Sequence, residues 1–313
     1  MFGRLVDIHI DTGKGNRITL VDHKQGNKSL ICDGTIVNMP NEQRSSLELN
    51  IYNLSPGIRS IIKADKYKYI TVEFGYKDIN GEELDVIFRG ELTRLVHERQ
   101  DATTSVTKFY CYDLCDAFDY GYYTGVFEEG TTLYDAIKTI ANSGEIKIPI
   151  RMTSELKQYK FTESRSLYGP QLELIHSLAK SAKMLMYITM STVVLQSEKE
   201  TQNNEVIVFT AVNEKDKIVS ASGLIGIPTM DDDGLQFSCL INPRLSIFST
   251  IMMANSIISD NQEGFEPSNQ AGAEFDSNGL YRVVKIETHF TNGAGENQMN
   301  VTALSRDSYI DYT

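Results

Sequence analysis

Leu47, Leu49 and Ile51 alternate with Glu48 and Asn50, so a strand here turns one face to a core and the other to water. The strand gives out at Asn53-Leu54-Ser55. Ser55 suits a helix cap, and Pro56 suits the first helical position, where a missing N–H costs nothing. Ile58, Ile61 and Ile62 then supply the apolar side of a short helix. A looser version of this unit returns over 235–245, where an alternating strand ends in Asn242-Pro243.

The same alternation predicts strands over 4–10 and 17–22, joined by a turn rich in Gly, Asn and Asp, and over 30–39, 69–76, 86–99 and 103–112. Gly90 falls where a bulge would re-aim the longest of them. After Gly130 the period becomes helical: Thr131 or Thr132 caps a segment whose Leu133, Ile137 and Ile140 share a face. A second helix starts at Gly169-Pro170, with Leu172, Ile175, Ala179 and Ala182 on one side. Strand character resumes over 184–196, 206–212, 235–242, 246–259, 280–290 and 299–305. Residues 260–279 hold few apolar side chains and read as a mobile loop. The expected class is mostly β / α+β: antiparallel barrel or sandwich modules at 1–126 and 226–313, with a small α/β module inserted at 127–225.

Residues 88–113 and 281–307 resemble one another. Each opens on an aromatic-Arg pair, runs as a long strand with a His near its end (His97, His289), turns through polar residues and closes on Asp. This reads as an internal duplication, with the two histidines at a shared structural position.

Lys and Arg number 30 against 42 Asp and Glu, a net charge of −12. That balance disfavours a grip on nucleic acid, which draws its affinity from cations displacing counterions. Thirteen Phe and sixteen Tyr without any Trp suit pleated faces. The four cysteines lack metal-site spacing and read as reduced, packed thiols. The N-terminal MFGRLVDIHI has no apolar core of a secretory signal, and no apolar run approaches the ~20 residues of a membrane span.

Candidate chemistry is sparse. Asp11-Thr12-Gly13 matches the aspartic-protease triplet, but it occurs once and in a hairpin turn. Asp231-Asp232-Asp233-Gly234 clusters carboxylates as a cation loop would, yet Thr229 and Leu240 occupy the places of the outer ligands, so it reads as a solvated turn. His9, His23, His97, His176 and His289 form no metal-binding spacing. Asp113, Asp116 and Asp119 read as a helix start or charged rim. No catalytic, metal-binding or cofactor-binding residue is assigned, and function must come from surfaces.

Several motifs carry a family likeness: IYNLSPGIRSII (51–62), VEFGY (72–76), IFRGEL (87–92), TTLYDAIKTIA (131–141) and GLYRVVKIETHF (279–290). With the β, α/β, β order, the chain resembles the central baseplate hub proteins of contractile-tailed phages, relatives of the hub part of type VI secretion spike proteins. The resemblance covers most of the chain and implies tail-tube-like β-modules, two per subunit. It further implies a homotrimer whose pseudo-sixfold ring adapts the sixfold tail tube to the threefold central spike.

Implied partners are the tail tube protein, the central spike protein, other baseplate proteins and the tape measure protein. DNA would pass through a neutral or acidic channel without specific binding. No cofactor, no membrane contact and no enzymatic activity are expected. The site implied is the virion tail baseplate, after synthesis in the host cytoplasm. Asp260, Glu263, Phe265 and Glu266 mark an expected assembly-contact loop. The competing readings are a distal tail or tube-terminating protein, a cell-wall hydrolase of the tail, and a carbohydrate-binding sandwich, the last disfavoured by the lack of Trp.

Overall fold

The computed structural model describes residues 3–12, 15–40, 44–64, 69–77, 83–197, 206–214, 217–220, 223–231, 234–254, 259–260 and 279–305. The fold is mostly β / α+β and divides into two compact units. The first comprises Met1–Ile36, Asn41–Glu198 and Phe290–Glu296; the second comprises Val37–Pro40, Lys199–His289 and Asn297–Thr313.

In the first unit the alternating segments become β1 (Arg4–Asp11), β2 (Arg17–Val21), β3 (Cys32–Asn38), β4 (Ser46–Tyr52), β5 (Tyr69–Tyr76), β6 (Asp85–Arg99) and β7 (Ser105–Tyr112). They lie side by side in the order β3-β4-β7-β6-β5-β1-β2. Across the middle, Leu49 faces Phe109 and Phe109 faces Leu95, while Leu47 faces Cys111 and Cys111 faces Leu92. Leu47, Leu49, Phe109 and Cys111 are buried. The intervening row, Glu48, Tyr110 and Arg94, points to the opposite face, where the Arg94 guanidinium sits 5.7 Å from the Tyr110 ring centre.

Strand β6 changes partner along its length, pairing with β5 up to Glu91 and with β7 from Glu91 onward. Its register shifts twice, leaving Ile87 and Thr93 as extra residues. The bulges therefore flank Gly90 rather than fall on it. Gly90 is needed for close approach instead: a Cβ there would stand 2.6 Å from the Phe88 ring and 2.8 Å from the Tyr112 carbonyl. Helix α1 (Pro56–Ala64) follows β4 through Asn53 in the left-handed region (φ 56°), a conformation Asn tolerates well. Ser55 Oγ accepts the Ile58 N–H at 3.3 Å, the cap expected of it.

The rest of the first unit contains α2 (Cys115–Tyr120), β8 (Tyr122–Phe127), α3 (Leu133–Ala141), β9 (Ile150–Met152), β10 (Arg165–Pro170), α4 (Gln171–Ser181), β11 (Met184–Thr189) and β12 (Thr192–Ser197). Its apolar cluster is drawn wholly from residues between Leu114 and Leu195, with Ile137, Ile140, Ile175 and Ala179 fully buried. Thr132 caps α3 by accepting the Asp135 N–H at 3.1 Å. Buried Gln171 donates to the Ile140 carbonyl at 2.7 Å, closing the end of α3 from the start of α4. The strand expected over 184–196 is two strands. Met190 and Ser191 both adopt positive φ (47° and 58°) and fold it into a hairpin.

The second unit has β13 (Ile207–Glu214), β14 (Lys217–Ser220), β15 (Leu224–Asp231), β16 (Gly234–Cys239), β17 (Thr250–Ala254), β18 (Ser259–Asp260), β19 (Leu280–Thr291) and β20 (Gln298–Ser305). β18-β15-β16-β20-β19 are adjacent in that order. Phe237, Val301 and Ile286 form a core row, and Ser238, Asn300 and Glu287 form the next row on the polar face. The strand expected over 246–259 begins only at Thr250. Ser246 and Ser249 close a turn in which Phe248, at φ 63°, is tucked into the core.

The hairpins β6–β7 and β19–β20 each bulge in the outgoing strand, at Thr93 and Val284. Counted from those bulges, His97 is the fourth residue and His289 the fifth, so the two histidines face opposite sides. Registered this way, their expected shared position does not hold.

Replacing Gly90 with Ala should cost about 1–3 kcal/mol through forced displacement of Phe88 and β7. The check is a lower urea midpoint at unchanged slope.

Candidate functional site

β1 and β5 pair residue by residue, so Asp7 lies opposite Glu73 and His9 opposite Thr71 on the polar face of the first sheet. Asp7 Oδ1 accepts both the His23 backbone N–H (2.6 Å) and its ring Nδ1–H (2.9 Å). Asp22 accepts the Lys24 N–H at 2.9 Å and so starts the short turn His23–Lys28. His9 Nδ1 meets Thr19 Oγ1 at 3.0 Å, and Arg17 donates to Glu73 at 3.4 Å. Burial, followed by the Arg17 charge, lowers the His9 pKa, leaving an uncharged imidazole at neutral pH.

Asp7, Asp22 and His23, and likewise Asp7, His9 and Glu73, bring potential ligand atoms within 4.8 Å of one another. Sequence spacing gave no sign of either group, because the partners come from β1, from the turn after β2 and from β5. Asp7 and Asp22 are engaged by N–H donors, and the arrangement fastens the His23 turn onto β1.

The cysteines are free and buried. Burial pushes the Cys32 and Cys239 thiols up to about 12 and raises Cys111 as well, so these are poor nucleophiles at neutral pH. Cys115 accepts from Arg44 Nη1 at 3.3 Å, and the same guanidinium reaches Asp119 at 3.1 Å. Asp116 and Asp119 lie on α2, but Asp113 is buried, so a charged rim describes only two of the three.

Asp11 ends β1, and the Thr12 N–H donates to the Asn16 carbonyl at 3.1 Å, the hairpin turn expected there. Asp231 pairs with Gly234 between β15 and β16; positions 232 and 233 lie outside the described residues. Of the expected contact residues, Asp260 ends β18 and pairs with Met230. Glu263, Phe265 and Glu266 lie outside the described residues.

Two surfaces escaped the sequence reading. β8 and β10 pair antiparallel, with Tyr168 opposite Thr124, and one face is exposed: Tyr122 (51%), Val126 (67%) and Tyr168 (74%). The Tyr122 and Tyr168 rings meet edge to face, 5.1 Å between centres. In the second unit, β15 carries Gly226, Ile227 and Pro228 against Phe237 alone, and Gly226 turns at φ 73°. This wide bulge overhangs a cleft of about 790 Å³ lined by Gln236, Ser238, Asn300 and Thr302. Ser238 Oγ donates to Asn300 Oδ1 there at 2.8 Å.

The profile of the family described as Baseplate hub gp41 matches residues 18–262. The chain belongs to that family. This hub protein is therefore a structural component of a phage tail baseplate. No curated protein sequence matches it. Solved structures share its fold at low identity. The 43 kDa tail protein of prophage MuSo2 from Shewanella oneidensis is 11% identical, with a TM-score of 0.57 and 97% of each chain covered. The tail protein from Neisseria meningitidis MC58 is 9% identical, with a TM-score of 0.56 and 96% of each chain covered.

The E. coli c3393 protein gives 9% identity and a TM-score of 0.55 over 89% of this hub protein and 75% of that chain. It is described as a type VI secretion component structurally similar to the T4 tail proteins gp27 and gp5. Among the described residues of the hub protein, no helix is long and apolar enough to cross a membrane.

Replacing Asp7 with Ala should destabilise the protein by about 2–3 kcal/mol, because two donors of His23 lose their acceptor. Asp22→Ala, which removes a cap and one exposed bond from Gln25, should cost about 1 kcal/mol. Denaturant midpoints measured side by side check the order.

Proposed function

We propose that three copies of this hub protein close into a pseudo-sixfold ring that joins the tail tube to the central spike and leaves a channel for DNA. The observation that carries the reading is the pair of bulged hairpins, β6–β7 and β19–β20, each flanked by antiparallel neighbours on both sides. A subunit with two such modules presents six to a threefold ring, which is what a sixfold tube requires. In this reading 1–126 and 226–313 are the tube-like modules and 127–225 the insertion. An apolar cluster of its own, running from Leu114 to Leu195, supports an inserted α/β module, although it begins before residue 127 and β13–β15 belong with the second unit.

Passage of a duplex is served by walls without excess cations. The net charge of −12 suits this, as does the polar row in which Lys285 and Glu287 offset one another beside Gln236, Ser238, Asn300 and Thr302. Tail tube, spike, other baseplate proteins and the tape measure are the partners in this reading. The role calls for no enzymatic group. Asp260, Glu263, Phe265 and Glu266 remain the proposed contact loop, and the exposed aromatic face of β8 and β10 is a second contact surface, since apolar side chains exposed together mark interfaces.

The test is the solution mass of the purified protein with negative-stain class averages, alone and after adding tube and spike proteins. Threefold rings with a central hole are expected. A chain that stays monomeric with both partners present overturns the reading. Replacing Tyr122 and Tyr168 together by Ser removes one edge-to-face pair and should cost no more than about 1.5 kcal/mol. The same pair of changes should lower the yield of assembled baseplate several-fold, counted by electron microscopy.

A further inference from the structure

Asp113 follows β7 directly, and its backbone N–H donates to the Ser45 carbonyl at 2.9 Å. Its side chain is buried, and Oδ1 has no hydrogen-bond partner. The donors facing the carboxylate are the backbone N–H and hydroxyl of Ser191 and the N–H of Leu114. Ser191 is the second residue of the β11–β12 turn, held at φ 58°, and its hydroxyl proton is shared between the carboxylate and the Arg89 carbonyl on β6, which accepts at 3.2 Å. The tip of the β11–β12 hairpin thus meets the first sheet at the buried Asp113 carboxylate and the Arg89 carbonyl.

A second buried carboxylate, Glu91 of β6, acts on it; Glu91 Oε2 accepts the Asp116 N–H at 3.2 Å. The charges on α2 are Asp116 and Asp119, the latter paired with Arg44 at 3.1 Å. Burial first, and Glu91 with it, push the Asp113 pKa up to about 6.

We infer that Asp113 and Ser191 form a proton-responsive joint seating the α/β part on the first sheet, tight when Asp113 is neutral and looser when it is charged. An Asp released to water titrates at 3.8. Closing the joint therefore binds a proton between about pH 4 and 6. The opening equilibrium rises about tenfold per pH unit across that window and is flat above it. At neutral pH the joint is about a hundredfold easier to open than in its protonated form.

Hydrogen exchange of the full chain, followed on peptides covering 184–197 and corrected for intrinsic pH dependence, tests this. Asp113→Asn keeps an acceptor for Ser191 and puts a donor beside the unpartnered position. Its exchange at pH 7 should be ten- to a hundredfold slower than wild type, and the difference should shrink to a few-fold at pH 4. Ser191→Ala, which removes a donor to the charged form, should exchange faster than wild type at pH 7. An Asp113→Asn to wild-type ratio that is the same at pH 4 and pH 7 overturns the inference. Should that variant not fold, Glu91→Gln supplies the same comparison, since removing the like charge must also slow exchange selectively at the higher pH.

Discussion

The first unit depends on one register: Leu49 against Phe109 and Phe109 against Leu95. Side chains on a strand alternate with a period of two, so a slip of one residue would send every core side chain on β4 to water. Each such side chain contributes roughly 1.5–3 kcal/mol by its burial, which makes the slipped register prohibitively unfavourable. The bulges at Ile87 and Thr93 bend β6 while keeping this register on both sides, so one strand serves β5 and β7 in turn. Gly90 lies between them because the bend brings Phe88 and the Tyr112 carbonyl onto its backbone.

The α/β part is built on a different principle. Its apolar cluster is closed within 114–195, so it needs little from the sheet to hold its own fold. Its helix ends are satisfied internally, by Thr132 at one end of α3 and Gln171 at the other. What ties it to the sheet includes polar contacts around Asp113, Ser191 and Arg89. Apolar burial would be nearly indifferent to pH, whereas a buried carboxylate makes the attachment conditional.

The strands were legible in the sequence wherever one face is wet, because alternation records that directly: 4–11, 46–52, 69–76 and 105–112 all read correctly to within a few residues. Helices were legible from their caps, Ser55 and Thr132. Partners distant in sequence were not. β8 and β10 pair across an intervening helix, and nothing in either segment names the other. The Met190-Ser191 turn was hidden because neither residue is the Gly or Asn expected at positive φ. Ser191 faces Asp113 there, a tertiary cause that local composition does not carry. The same holds for Asp7, His9 and His23, which read as isolated residues until β1, β2 and β5 are laid together.

This division between legible pattern and hidden pairing also explains how the fold persists in tail proteins at 9–11% identity. A ladder such as β4–β7–β6 asks only for apolar side chains of suitable size at alternate positions, a requirement many sequences meet. The chain accordingly shows its kinship in short stretches where more than alternation is required. In residues 51–62 a strand must end, turn left-handed at Asn53 and start a helix at Pro56. In residues 87–92 a strand must bulge and then pass Gly90 under an aromatic ring. Those sites constrain residue identity because backbone geometry there excludes most alternatives, and they are where the family likeness was readable.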